Sequence, residues 1–164
     1  MWRVGILTAS TKGARGERKD ESGAVIREMV ARIDGQVVCH EVLPDDLDRI
    51  RETLVRFADV EKLDLVLTTG GTGVGPYDVT PEATRAVIQR EIPGIAEAMR
   101  ITTLEKTRFA MLSRSLAGTR GTTLIINLPG SPKGVRECLG AVIDVIPHAL
   151  ELMKELTGDH GEAR

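Results

Sequence analysis

The chain has 164 residues, 41% hydrophobic and 28% charged, with a formal net charge of −2. That length suits one domain around one core, and the slightly acidic balance argues against a general nucleic-acid binder. Its four aromatics, Trp2, Phe57, Tyr77 and Phe109, are too few for a base-stacking platform, so the core must be built from Val, Ile, Leu and Ala.

Trp2 to Ala9 is a short apolar run that reads as a buried strand. Ser10 to Asp20, with Gly13, Gly16 and four basic residues, reads as a loop. Ser22 to Ile33 is an amphipathic helix with Val25, Ile26, Met29, Val30 and Ile33 on one face. Gln36 to Leu43 is β-rich and ends at Pro44. Asp46 is placed to cap a helix that turns Leu47, Ile50, Leu54 and Phe57 inward. Leu63 to Thr69 is another apolar strand. Thr80-Pro81-Glu82 is a helix start, with Thr80 as cap and Pro81 in the first helical position. A further helix begins at Pro93-Gly94 and runs through Met99 to Leu104, with Glu91 and Glu97 on a solvated helix face. Thr122 to Leu128 is the last strand. Ser131 caps a long helix from Pro132 to about Leu156, with Pro147 as a candidate kink.

Strands alternating with helices predict a three-layer α/β fold, a mainly parallel sheet with helices on both faces. One such domain is expected over 1–157, followed by a frayed polar tail at 158–164. No apolar stretch approaches the ~20 residues that span a bilayer, and Arg3 interrupts the N-terminal run where a signal peptide would continue. The expected compartment is the cytoplasm, without membrane contact. Cys39 and Cys138 read as buried free thiols, and no Cys-x-x-Cys spacing suggests zinc. His40, His148 and His160 share no spacing and read as structural or solvated.

Sheets of this kind bind ligands beyond the carboxyl ends of their strands, which selects the loops at 10–20, 44–45, 70–78 and 129–133. The glycine loop Thr68-Thr69-Gly70-Gly71-Thr72-Gly73-Val74-Gly75 follows a buried strand directly. Its backbone can turn sharply, approach a ligand and offer successive N–H groups to an anion. It is neither a Walker A loop nor a dinucleotide fingerprint, and a glycine-rich turn with no ligand is the plain alternative. Asp78 closes the loop, Asp45 follows the second strand and Asp20 ends the first loop. Each reads either as a turn or cap residue or as a carboxylate beside phosphates, where one or two carboxylates suit Mg2+. Asn127-Leu128-Pro129-Gly130-Ser131-Pro132-Lys133-Gly134 brings a helix N-terminus to the same edge. Free N–H groups, Ser131 and Lys133 there would favour an anion. Ser113-Arg114-Ser115 is a third candidate, because Arg suits phosphate contacts; a surface loop is its alternative.

Taken in order, several segments resemble the MogA/MoaB family of molybdenum-cofactor biosynthesis proteins. They are Thr68-Thr69-Gly70-Gly71-Thr72-Gly73, Asp78-Val79-Thr80-Pro81-Glu82-Ala83-Thr84, Glu91-Ile92-Pro93-Gly94, Leu112-Ser113-Arg114 and Leu128-Pro129-Gly130-Ser131-Pro132-Lys133. The resemblance covers Arg3 to roughly Leu156. It implies a molybdopterin-binding fold, commonly a homotrimer, and transfer of AMP from Mg-ATP to molybdopterin with release of pyrophosphate. It maps the essential acidic positions onto Asp45 and Asp78. It maps pterin and phosphate contacts onto Thr69, Gly70, Gly71, Thr72 and Gly73, onto Ser113 and Arg114, and onto Pro129, Gly130, Ser131, Pro132 and Lys133. A downstream molybdate-insertion protein is an implied partner. Thr11 departs from the family, whose members often carry an acidic or amide residue there. A non-catalytic molybdopterin carrier is the main alternative; a small-phosphate enzyme sharing only the sheet architecture is a second.

Overall fold

The computed structural model describes residues 1–155; the helix end at Leu156, the boundary at 157, His160 and the tail at 158–164 lie outside them. The chain forms β1 (Trp2–Ala9), α1 (Thr11–Ala14), α2 (Glu21–Val30), β2 (Gly35–Leu43), α3 (Leu47–Asp59), β3 (Leu65–Thr69) and α4 (Thr80–Val87). There follow β4 (Arg90–Glu91), α5 (Pro93–Leu104), β5 (Ala117–Arg120), β6 (Thr123–Leu128), α6 (Pro132–Val142) and α7 (Ile146–Glu155). One sheet has the order β2-β1-β3-β6-β5-β4. Its first four strands are parallel, and β5 and β4 close the far edge antiparallel.

Alternation along the central strands builds two cores, because successive side chains leave a strand on opposite faces. Leu65 and Leu67 of β3 and Leu124 and Ile126 of β6 pack with α2, α5, α6 and α7. Val66 and Ile125, one residue out of phase, pack with Ile50, Leu54 and Phe57 of α3 and with α4. The expected three-layer arrangement is therefore present, and it explains why β3 and β6 read as unbroken apolar runs: they are buried on both faces. β2, at the edge, alternates between half-buried and exposed positions. Leu47 departs from the inward pattern and is 36% exposed in the first turn of α3.

Asn127 is fully buried in β6, where an unpaired amide would be costly. Its Nδ2 donates to Thr68 Oγ1 (3.0 Å) and Thr84 Oγ1 (2.9 Å), and its Oδ1 accepts from Leu116 N (3.4 Å). One side chain thus ties β3, α4 and the approach to β5 together just below the strand ends.

Three elements differ from the sequence reading. The β4–β5 edge was not visible, because Ala117-Gly118-Thr119-Arg120 has no β-branched run. Close approach is its signature instead: a Cβ at Gly118 would lie 2.6 Å from Arg90 O. Glu91 therefore belongs to a strand, not a helix face, and pairs with Arg85 at 3.3 Å. The long C-terminal helix breaks at a 3-10 turn, Ile143–Val145, since Pro147 has no N–H and crowds the carbonyl four residues earlier. The first loop contains α1, which Ser10 caps by accepting from Gly13 N at 3.0 Å. Both cysteines are free and half-buried; burial pushes the Cys138 thiol up to about 11, so it stays protonated and inert.

Candidate active site

Chain order reverses between β1 and β3, which lie side by side while β2 and β6 flank them. At such a switch point the loops leave in opposite directions and open a crevice. A cleft of about 590 Å3 occupies it. Its lining takes in the end of β1 (Thr8, Ala9), Ser10, Asp20, Asp45, Thr69, Gly70, Gly71, Asp78, Gly130, Ser131 and Pro132.

The glycine loop is shaped by its neighbours. Gly70 and Gly71 have φ of 91° and 69°, the left-handed region that side chains disfavour. A Cβ at Gly70 would lie 2.4 Å from Ala9 O. Gly70 N donates to Leu128 O at 3.2 Å, so this amide is already used. Its carbonyl accepts from Thr80 Oγ1 at 2.9 Å, and Gly71 O accepts from Thr80 N at 3.1 Å. Thr80 is therefore not the cap of α4, as expected from sequence. It is the first helical residue, with Val79 in the cap position and Pro81 just after, and its hydroxyl serves the loop instead. Beyond Gly70, the amides of Gly71, Thr72 and Gly73 carry no hydrogen bond within the described residues. Three successive unpaired N–H groups are the arrangement an anion would satisfy.

Arg114 holds this loop from behind. Its N donates to Thr72 O (2.9 Å), its Nε to Gly73 O (2.7 Å) and its Nη2 to Asp78 O (2.7 Å), while Nη1 pairs with Glu82. The guanidinium beside Glu82 holds that carboxyl below the usual range. Three of its five guanidinium N–H donors go to the loop and Glu82, so Arg114 shapes the loop, and it is not among the residues that line the cleft.

Two carboxylates flank the loop. Asp45 Oδ2 accepts from Thr11 Oγ1 (3.0 Å) and Thr11 N (3.3 Å), and Asp45 N donates back to Thr11 Oγ1 (3.1 Å). Its other oxygen faces Gly71, 3.4 Å from where a Cβ would stand. Thr11, the departure from the family pattern, thus clamps Asp45 in position. Asp78 Oδ2 accepts from Gly75 N at 2.9 Å and would sit 2.8 Å from a Cβ at Gly73, so both glycines make room for the carboxylate.

Asp20 is differently placed. Its Oδ1 accepts from Gly23 N (2.9 Å) as the cap of α2, and its Oδ2 meets Thr8 Oγ1 (2.6 Å) and His40 Nε2 (2.7 Å). Burial pushes its pKa up, but the bonds from His40, Thr8 and Gly23 together outweigh this and hold it at about 2. A depressed folded-state value means the carboxylate's contribution is complete above about pH 4 and lost as pH falls through 2. At this partly solvent-facing site that contribution is on the order of 1 kcal/mol after screening. Acid unfolding followed by circular dichroism should show wild type losing more stability between pH 4 and 2 than Asp20→Asn, which keeps the cap without the charge.

On the third loop, Ser131 caps α6 by accepting from Gly134 N at 3.0 Å, which leaves its hydroxyl hydrogen for a ligand. Thr69 Oγ1 donates to Pro129 O and Ser22 Oγ to Gly130 O, both at 2.6 Å. Ser22, 108 residues away in sequence, had no signal that could have revealed it. Lys133 is exposed and lies outside the cleft lining. Thr72, Gly73, Ser113 and Pro129 line a second, more apolar cavity of about 370 Å3, which shares Ser131 with the first.

Among the described residues no group of three or more His, Cys, Asp or Glu side chains is arranged to hold a metal ion. Mg2+ needs fewer protein ligands when phosphate oxygens and water complete its octahedron, and Asp45 and Asp78 fit that donor set. No helix among the described residues is long and apolar enough to cross a membrane.

A parallel sheet whose switch point carries unpaired glycine-loop amides between two carboxylates defines an α/β protein with a cleft whose geometry would suit a phosphorylated ligand. Residues 5–148 match the family described as "Probable molybdopterin binding domain", and the chain belongs to that molybdenum-cofactor biosynthesis family. It is 43% identical over 152 residues to a molybdopterin adenylyltransferase of Helicobacter pylori, covering 92% of this chain and 86% of the relative. The crystal structure of the molybdopterin biosynthesis enzyme MoaB from a Thermus species superposes with a TM-score of 0.90 at 55% identity, over 94% of this chain and 98% of that one. The molybdopterin biosynthesis Mog protein of Mycobacterium ulcerans superposes at 0.87 with 40% identity, over 93% and 99%.

Proposed function

We propose that the chain is a molybdopterin adenylyltransferase, which moves AMP from ATP to the terminal phosphate of molybdopterin. The observation that carries this reading is the run of unpaired amides at Gly71, Thr72 and Gly73 between Asp45 and Asp78, in a chain whose curated relatives are named for that activity. A phosphate oxygen of molybdopterin bonds to the α-phosphorus of ATP, the bond from that phosphorus to the bridging oxygen breaks, and pyrophosphate leaves with the electron pair. The nucleophile is already an anion, so no strong base is needed. The task is to bring two anions together and stabilise spread charge.

The loop amides and the N-terminus of α6 at Ser131 would receive phosphate oxygens. Asp45 and Asp78 would hold Mg2+, which when bound neutralises phosphate charge. Asp20, its oxygens taken by three donors, would position α2 and not the metal. The second cavity, on the far side of the loop, would accept one of the two ring systems. Family resemblance supports a homotrimer, a cytoplasmic setting and a downstream molybdate-insertion partner for the product.

The test is incubation with molybdopterin, ATP and Mg2+, with mass detection of the product. Adenylated molybdopterin formed with equal pyrophosphate is the expected result. Saturable pterin binding with no adenylated product would favour a carrier instead.

A further inference from the structure

Two polyanions must enter a cleft whose lining is itself acidic: Asp20, Glu21, Asp45 and Asp78 contribute four carboxylates. The basic residues that sequence suggested as counter-charges are not in that lining. Arg114 is spent on the glycine loop and Glu82, and Lys133 stands outside the lining. Arg18 and Lys19 are the two basic side chains in the lining. Both are exposed, and neither makes an ion pair or side-chain hydrogen bond within the described residues. Their backbone is nonetheless held. Glu17 N donates to Lys12 O (2.9 Å), Glu21 N to Lys19 O (3.1 Å), and Asp20 is fastened to Thr8, His40 and Gly23. A fixed backbone with two uncommitted cationic side chains at the rim of an anion cleft is a preorganised clamp.

Resting on the adenylyltransferase reading, we infer that Arg18 and Lys19 bind the β,γ-diphosphate of ATP and the pyrophosphate it becomes. The reacting α-phosphorus belongs deeper, over the strand ends where the loop amides and Asp45 and Asp78 converge. The leaving diphosphate extends toward the rim, where long, solvated side chains can follow it out. Arg18 offers a planar fork for two oxygens and Lys19 a point charge.

The experiment compares wild type with Arg18→Ala/Lys19→Ala and with the charge-keeping Arg18→Lys/Lys19→Arg. Magnesium pyrophosphate binding is measured by calorimetry, together with KM for ATP and molybdopterin affinity. The alanine pair should weaken pyrophosphate binding and raise KM for ATP by at least about tenfold, from the loss of two charge-assisted contacts. It should leave molybdopterin affinity within about twofold, and the charge-keeping pair should recover most of the loss. Both positions are exposed, so thermal unfolding should be unchanged. Wild-type pyrophosphate affinity in the alanine pair overturns the assignment, as does equal weakening of molybdopterin, which would make the effect a general field. A wild type that turns over while the alanine pair matches it removes this inference alone. A wild type that neither turns over nor binds pyrophosphate removes the parent reading with it.

Discussion

Asp78→Asn is expected to lower turnover by about 10²- to 10³-fold, the range seen when one preorganised charge-stabilising group is removed from an active site. Molybdopterin affinity should change by no more than a few-fold. The substitution isolates charge from shape. Asp78 Oδ2 accepts from Gly75 N, and the amide oxygen of Asn can accept the same bond, so the turn survives. The carboxylate's negative charge does not survive, and with it goes a ligand for a divalent cation. Steady-state kinetics with independent pterin binding separates the two quantities. A turnover loss matched by an equal loss of affinity would mean that Asp78 serves uniform binding and not the transfer step.

Gly70→Ala is expected to destabilise the fold by roughly 3 kcal/mol, combining left-handed backbone strain with a clash that has no soft partner. Gly70 has φ 91°, and its added Cβ would stand 2.4 Å from the carbonyl oxygen of Ala9, main chain at the end of β1. Neither strand end can retreat without breaking the parallel pairing of β1 with β3. Gly16, also at positive φ (74°), has nothing near its Cβ position. Gly16→Ala should therefore cost only the backbone term, about 1 kcal/mol. Urea unfolding of both variants checks the contrast; equal costs would show that the close packing of β1 on the loop contributes little.

Much of this molecule is legible in its residue pattern. The apolar runs at β1, β3 and β6 exist because central parallel strands are buried on both faces. The caps at Asp46 and Ser131 accept from Arg49 N and Gly134 N because short polar side chains complete a helix's first turn. The two Asp residues flanking the glycine loop could be selected because sheet topology alone says which loops share an edge. What could not be read is the set of contacts across long sequence separations. Thr8, Asp20 and His40 meet only once β1 and β2 are paired. Thr11 gains meaning only when α1 is laid beside Asp45. Arg114 looked like an anion binder because its chemistry permits that role, yet its geometry commits it to carbonyls of the loop. Composition says what a side chain can do; its neighbours decide which of those options is taken.

The claim at the centre of this account is that both reactants meet over the Gly71–Gly73 amides between Asp45 and Asp78. A crystal structure with molybdopterin, a non-cleavable ATP analogue and Mn2+ in place of Mg2+ tests it directly through anomalous scattering. Phosphate oxygens against those amides, with the manganese peak at coordinating distance from Asp45 or Asp78, is the predicted result. Manganese and phosphates ordered at a different surface, with this cleft filled by water alone, would contradict it.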